Sequence, residues 1–497
     1  MTEPLVPTAP QQPPPAAGTD QSPQLQRGSL GVADIVFFVV AAAAPLTVMA
    51  GVAPLAILFG GIGAPVAYLA VGAVLVLFAV GFTTMTPYIR NAGAFYSYIA
   101  RGLGRPAGLG AALVAVFSYN SLQIGMFGAF GFFASTTAND LLGVDLPWPV
   151  YAFAGIAVVW FLGFRSVNLG AKVLAALLIA ETAVLVLLAG AVLVKGGASG
   201  LTFDSFAPSN VFVSGMSGPL GLAVAAFIGF EATAIYREEA RDPDRAVPRA
   251  TYLAVGFLGL FYAFIAWIIV QAFGSDQAVA AAAKNPAEMF FTAMTQYVGG
   301  WATDVQRVLI VTSVLAALLA FHNAITRYVY ALSAERVAPA ALGRVHGRHG
   351  SPWVAGIAQS VLAAVVVAVF AVIGVDPYTK FFLWVNTPGV VGILVLQALA
   401  AFAVVAFFRR NAAEHGEGRI RTLVAPAAAG VLLTAATVLV CKRLDLFTGA
   451  APAVNWSLVA LTPAVFLAGT ALAARIRRTR PDVYAKLATT DVDAAIA

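Results

Sequence analysis

The sequence predicts an all-α membrane protein of twelve transmembrane helices, the first and sixth of them broken. Three observations predict it: the composition, a regular series of long apolar segments, and helix breakers in the middle of two of those segments. Of 497 residues, 60% are hydrophobic and only 10% charged, which excludes an ordinary soluble globule. A span needs about 20 apolar residues. Such segments occur near 31–60, 64–86, 106–138, 148–164, 171–194 and 217–236, and again near 248–272, 304–332, 353–374, 379–408, 422–441 and 455–474. The single cysteine, Cys441, permits no internal disulfide, so helix packing must carry the fold.

Residues 1–28 are rich in Pro, Gln and Ala, and lack apolar periodicity. They are expected to form a disordered cytoplasmic tail, since they lack the basic start and apolar core of a secretory signal. Residues 29–478 form the twelve-helix domain, and 479–497 a C-terminal cytoplasmic tail. The first span, VVAAAAPLTVMAGVAPLAILFGG, carries Pro45, Gly51 and Pro54 at its centre. Proline removes a backbone donor and clashes with the preceding turn, so carbonyls are freed at mid-membrane depth. A simple proline kink is the alternative.

The third span contains FSYNSLQIG, more hydrogen-bonding capacity than a lipid-facing surface would carry, with Asn120 and Gln123 on one face. Such side chains often tie helices together, the alternative to a role in a substrate site. The fifth span holds Glu181 among aliphatic residues, where it either exchanges protons or ties helices. The sixth span carries Gly229, Phe230 and Glu231 inside an apolar run. A charge near mid-bilayer costs about 2.5 to 3.5 kcal/mol, so Glu231 is either a gate and proton-responsive group or a structural acceptor of backbone donors. Interrupted helices five spans apart point to a transporter binding site, where half-helix N-termini attract a carboxylate and acidic groups receive an ammonium or cation.

The loop REEARDPDR after the sixth span interleaves acids with arginines, which favours an inner gate of ion pairs over a metal site. His322 in the eighth span is either a proton carrier or a packing histidine. Asn386 and Thr387, before Pro388 in the tenth, are further polar candidates. The loop near 275–303 has helical composition and is expected to cover the outer mouth. With both termini inside, only Lys195, Lys284, Arg307, Lys380, Lys442 and Arg443 fall outside, and the remaining 23 of the 29 basic residues fall on cytoplasmic segments. That bias follows the positive-inside rule, so the net charge of +6 reports topology in a cell membrane rather than a nucleic-acid partner.

Three stretches then carry a family resemblance. FIGFEATAIYREEARDPDRAVPRA, NAGAFYSYIARGLGRPAG and NAITRYVYALSAERVAPAALGRVHGRHGSPWVA are similar to the sixth-span, second-to-third-span and eighth-span motifs of the amino acid, polyamine and organocation transporter superfamily, bacterial amino acid permeases included. The resemblance spans roughly residues 30–475 and implies two inverted five-helix repeats plus two extra helices. It implies alternating access for an amino acid or organic amine, driven by protons or exchange. APLTV from Ala44 resembles a first-span form found in a branch with amine carriers, and the Gly-Ser-Gly form of amino acid exchangers is absent. The substrate-binding residues it suggests are Ala44, Pro45, Thr47, Gly51, Asn120, Gln123, Phe227, Ile228, Gly229 and Glu231. Phe227 stands in for a gating aromatic that relatives carry at the position of Ala225. Coupling candidates are Glu181, Glu231, His322 and Lys172, the last either a coupling cation or a snorkelling topology residue.

The reading is therefore a proton-coupled secondary transporter using no cofactor or metal, with an exchanger of the same fold as the alternative. A membrane-embedded transferase would need an acid or histidine constellation at the interface, and the outside loops offer only scattered acids. No GxxxxGK[ST] loop is present, which disfavours an ATP-driven pump.

Overall fold

In the computed structural model, the described residues are 31–89, 94–165, 171–231, 233, 240–412 and 416–488. All their regular elements are helical. The first segment breaks into α1 (Val32–Ala42), α2 (Pro45–Gly51) and α3 (Ala53–Gly60), with Pro45 and Pro54 each in the first turn of a piece. Proline is tolerated there because the first-turn N–H groups have no intrahelical partner. The chain continues through α4 (Ala64–Met85), α5 (Ala94–Leu103), the 38-residue α6 (Arg105–Leu142), α7 (Trp148–Phe164) and α8 (Ala171–Lys195). After a short α9 (Pro208–Val211), the sixth segment is the helix α10 (Ser217–Ala226), which gives way to a turn.

The second half runs through α11 (Pro243–Phe273), the short α12 (Ala278–Lys284) and α13 (Met289–Tyr297), then α14 (Gly300–Ala334) and α15 (Trp353–Ile373). It ends with α16 (Leu383–Arg410), α17 (Ala425–Lys442), α18 (Leu444–Thr448), α19 (Pro452–Thr479) and α20 (Pro481–Lys486). Among the described residues, ten helices are long and apolar enough to cross a membrane; α7 is shorter, and α10 is cut off by its break. The chain is thus a multi-pass membrane protein.

The core is built around α4 and α6. The most extensive pairings are α4 with α11, α6 with α16 and α19, and α16 with α17, followed by α6 with α14. In lipid, helices associate through close packing of small residues rather than by escaping water. At Gly469 on α19 an added Cβ would lie 2.7 Å from the Cα of Gly110 on α6, so only glycine permits that approach. As expected, the 275–303 connection is helical. α13 buries Phe290, Phe291 and Met294, and Arg307 of α14 clamps it by reaching Glu288 at 2.6 Å, Asp140 at 3.0 Å and the face of Phe291.

Candidate functional site

The first break centres on Ala44, a non-glycine residue in the left-handed region at φ 47° and ψ 70°. That conformation costs an L-residue roughly 1 to 2 kcal/mol and persists only where the surroundings impose it. Here the Tyr262 hydroxyl of α11 donates to the Ala43 carbonyl at 3.3 Å. Farther along, the Tyr378 hydroxyl donates to the Gly51 carbonyl at 2.8 Å. Two buried tyrosines thereby satisfy carbonyls of the interrupted helix, as a water-free interior requires.

Glu181 of α8 reaches this break. Ser313 Oγ of α14 donates to Glu181 Oε2 at 2.9 Å, and Thr47 Oγ1 of α2 donates to Ser313 Oγ at 2.8 Å. The Leu46 backbone N–H, one residue past Pro45, also bonds the carboxylate. One carboxylate, 4% exposed, thus couples two helices, α8 and α14, to the start of the half-helix α2.

The second break follows α10. Backbone bonds from Phe227 to Val224, Ile228 to Ala225 and Phe230 to Phe227 span three residues instead of four, and Gly229 sits at φ 110°. Glycine alone adopts that angle without strain. Glu231, 2% exposed, folds back so that the Gly229 N–H donates to Oε2 at 3.0 Å, while the Tyr119 hydroxyl of α6 donates to Oε1. The Tyr119 ring lies 6.0 Å from Phe321 and 5.8 Å from Tyr328, whose hydroxyl is also buried.

The remaining candidates are distributed unevenly. Asn120 Nδ2 donates to its own helix at Val116, leaving Oδ1 buried and unpartnered among the described residues. Gln123 turns to α14 and α15, donating to the Leu318 carbonyl at 3.0 Å and accepting from Gln359. Phe227 fills a slot where Gly72 of α4 meets Gly259 of α11, with its ring 6.0 Å from Tyr262. Ile228 is buried at the turn itself. His322 is wedged between Gly163 of α7 and Gly356 at the start of α15, on a different side of α14 from Ser313. Asn386 and Thr387 bond carbonyls of their own turn. The side chain of Lys172 and all of Arg237, Glu238 and Glu239 lie outside the described residues. Of the loop that follows, Asp242 and Arg245 form an exposed pair at 3.8 Å.

Sequence reasoning passed over Tyr119 and Ser313 as partners of the two carboxylates, and Tyr262 and Tyr378 as holders of the first break. The available signal was that a tyrosine inside an apolar helix needs a partner for its hydroxyl.

Residues 30–469 match the family model described as amino acid permease. An uncharacterized transporter of Mycobacterium tuberculosis is 28% identical over 276 residues, 54% of this chain and 58% of that protein. The chain thus spans somewhat more than half the length of these mycobacterial relatives. A histidine permease of Lactococcus lactis is 28% identical over 161 residues, 31% of this chain and 34% of the permease. A branched-chain amino acid permease of Bacillus subtilis is 26% identical over 141 residues, 28% of this chain and 29% of the permease.

Proposed function

The chain belongs to the amino acid permease family, and from that premise we propose that it is a secondary active transporter. In this reading it moves an amino acid or related organic amine across the cell membrane by alternating access, coupled to protons. The observation that carries the reading is the pair of interrupted helices, each holding a buried carboxylate on hydroxyl and backbone donors. Counting α7 and the interrupted sixth segment with the ten long helices gives twelve spans. The second span packs on the seventh (α4 on α11), the third on the eighth (α6 on α14), and the fourth on the ninth (α7 on α15), as a five-plus-five relation would produce. The excess of basic residues on alternate connections supports a cytoplasmic position for both termini.

Glu181 is the proton carrier in this mechanism. When ionised it accepts from Ser313 and the Leu46 N–H; when protonated it can no longer accept fully, and the Thr47–Ser313 link to α2 loosens. Glu231 shapes the sixth break through the Gly229 N–H and responds to Tyr119. Ala44, Pro45, Thr47, Gly51, Ile228 and Gly229 supply the backbone around the substrate.

An organic amine is favoured over a zwitterion by one observation. Both breaks already hold a protein carboxylate, and neither carboxylate pairs with Lys or Arg among the described residues. A cationic head would complete that charge balance. Reconstituted protein should accumulate a radiolabelled amino acid or amine when the outside is acidic. Absence of uptake across a broad panel, with the fold intact, would defeat the transport reading.

A further inference from the structure

A cavity of about 100 Å³ opens between α7, α14 and the start of α15, away from both breaks. Trp160, Phe164, His322, Arg327, Ser351 and Trp353 are among its lining residues. Its hydroxyls are committed to the backbone: Ser351 Oγ donates to the Phe164 carbonyl at 2.6 Å and Thr326 Oγ1 to Asn323 at 3.0 Å. Its strong donors are not. Trp160 Nε1 is buried without a partner among the described residues, and an indole N–H can only donate. His322 is only 3% exposed yet makes no hydrogen bond among the described residues, and Arg327 makes no ion pair among them.

Two arginines and two histidines crowd the rim, and acids are missing from the stretches that build it. His346 and His349 lie 5.0 and 5.5 Å from the Phe164 ring, and the charges of Arg348 and Arg165 bear on His349. The sequence has no Asp or Glu between Asp145 and Glu181, between Asp304 and Glu335, or between Glu335 and Asp376, the stretches that build the cavity. Beside the cavity, α7 exposes Phe161 and Val158, and α15 exposes Ile357, Val361 and Leu362, a strip of apolar surface facing outward. A cavity of this size holds a few water-sized groups, enough for a phosphate but not for an acyl chain.

We propose that this cavity binds the phosphate headgroup of an anionic phospholipid of the cytoplasmic leaflet, with its acyl chains lying along α7 and α15. The donors are of the kind that phosphate oxygens satisfy, bidentate at Arg327 and single at Trp160. Basic pockets between helices on the cytoplasmic side are the expected place for such lipids. The site is separate from the paired breaks, so its test does not depend on transport.

The full chain in detergent is titrated with short-chain phosphatidylglycerol, short-chain phosphatidylcholine or inorganic phosphate, and the melting temperature is followed. The expected result is a saturable rise with phosphatidylglycerol only. Arg327→Gln and Trp160→Phe, each with a lipid-free melting transition like that of the parent, should raise the half-saturating concentration about tenfold. Equal shifts with phosphatidylcholine would overturn the proposal, as would an equal saturable shift with inorganic phosphate, which would mark a soluble-anion site. Retention of the parental response by both variants would overturn it too. If a variant does not fold, quenching of Trp160 and Trp353 fluorescence by a brominated phosphatidylglycerol in the parent decides. Quenching no stronger than with brominated phosphatidylcholine contradicts the site.

Discussion

The Tyr119 hydroxyl, one atom on a long helix, decides how Glu231 is held. It donates to Oε1 while the Gly229 N–H holds Oε2. Hydrogen bonds to a charged group contribute about 1.5 to 3 kcal/mol, and a buried acceptor left unmet costs about as much. Tyr119→Phe should therefore lower the melting temperature and slow substrate uptake, because the sixth break loses one of its two fixed points. An unchanged melting temperature would show that the bond contributes nothing. Glu181 and Glu231 are legible in the sequence because a carboxylate in an aliphatic run stands out. Tyr119 and Ser313 are not, because a tyrosine or serine on a helix gains its meaning only once the rotation of that helix is known. The same ignorance of rotation groups Asn120 with Gln123, whereas Gln123 ties α6 to α14 and α15. Phe227 illustrates it further: the residue offered as a gate packs between two glycines of α4 and α11.

At the scale of elements, the breaks are legible where the covalent chemistry is unusual. Proline at 45 and 54 and glycine at 229 mark the interruptions, but the left-handed Ala44 carries no such mark. Its buried position leaves little room for branching. Ala44→Val, stiff at χ1 and ill suited to positive φ, should lower the melting temperature by several degrees, and Ala44→Gly should not. Equal destabilisation by both would place the effect in packing rather than in φ. α20 is illegible in the sequence, since PDVYAK is too short to show periodicity. It docks because Tyr96 Oη donates to Glu335 at 2.6 Å, the Ala488 N–H donates to the other oxygen at 3.1 Å, and Arg105 reaches the Ala485 carbonyl at 2.8 Å. Arg480 adds a bond to the Arg336 carbonyl at 3.0 Å. Burial pushes the Glu335 carboxyl above its ordinary range, against the lowering effect of the Tyr96 and Ala488 bonds. The docked state then binds that proton more tightly than the undocked one, so docking weakens as pH rises from the ordinary carboxyl range through the raised value. Amide exchange over residues 481–488, corrected for its intrinsic rate, should lose protection with rising pH. Glu335→Gln should abolish that dependence, and a dependence of opposite sign would contradict the docking account.

For the whole molecule, composition and apolar run length suffice to specify an all-helical membrane protein, because lipid leaves the backbone few alternatives. The pairing of α4 with α11 through Gly72 and Gly259 is a different matter, since both are common residues and only the packed structure makes them neighbours. Two breaks that lie 185 residues apart in the chain, at Ala44 and Gly229, are thereby held in one helical core. Each carries its own carboxylate, and the central claim is that the Glu181 carboxylate carries the proton that accompanies substrate. The direct measurement uses liposomes loaded with a pH-sensitive dye and containing the reconstituted protein. Adding a transported amine or amino acid outside should acidify the lumen with the parent. Glu181→Gln should abolish the acidification while leaving substrate-for-substrate counterflow largely intact. Full acidification in Glu181→Gln, or equal loss of acidification and counterflow, would contradict the claim.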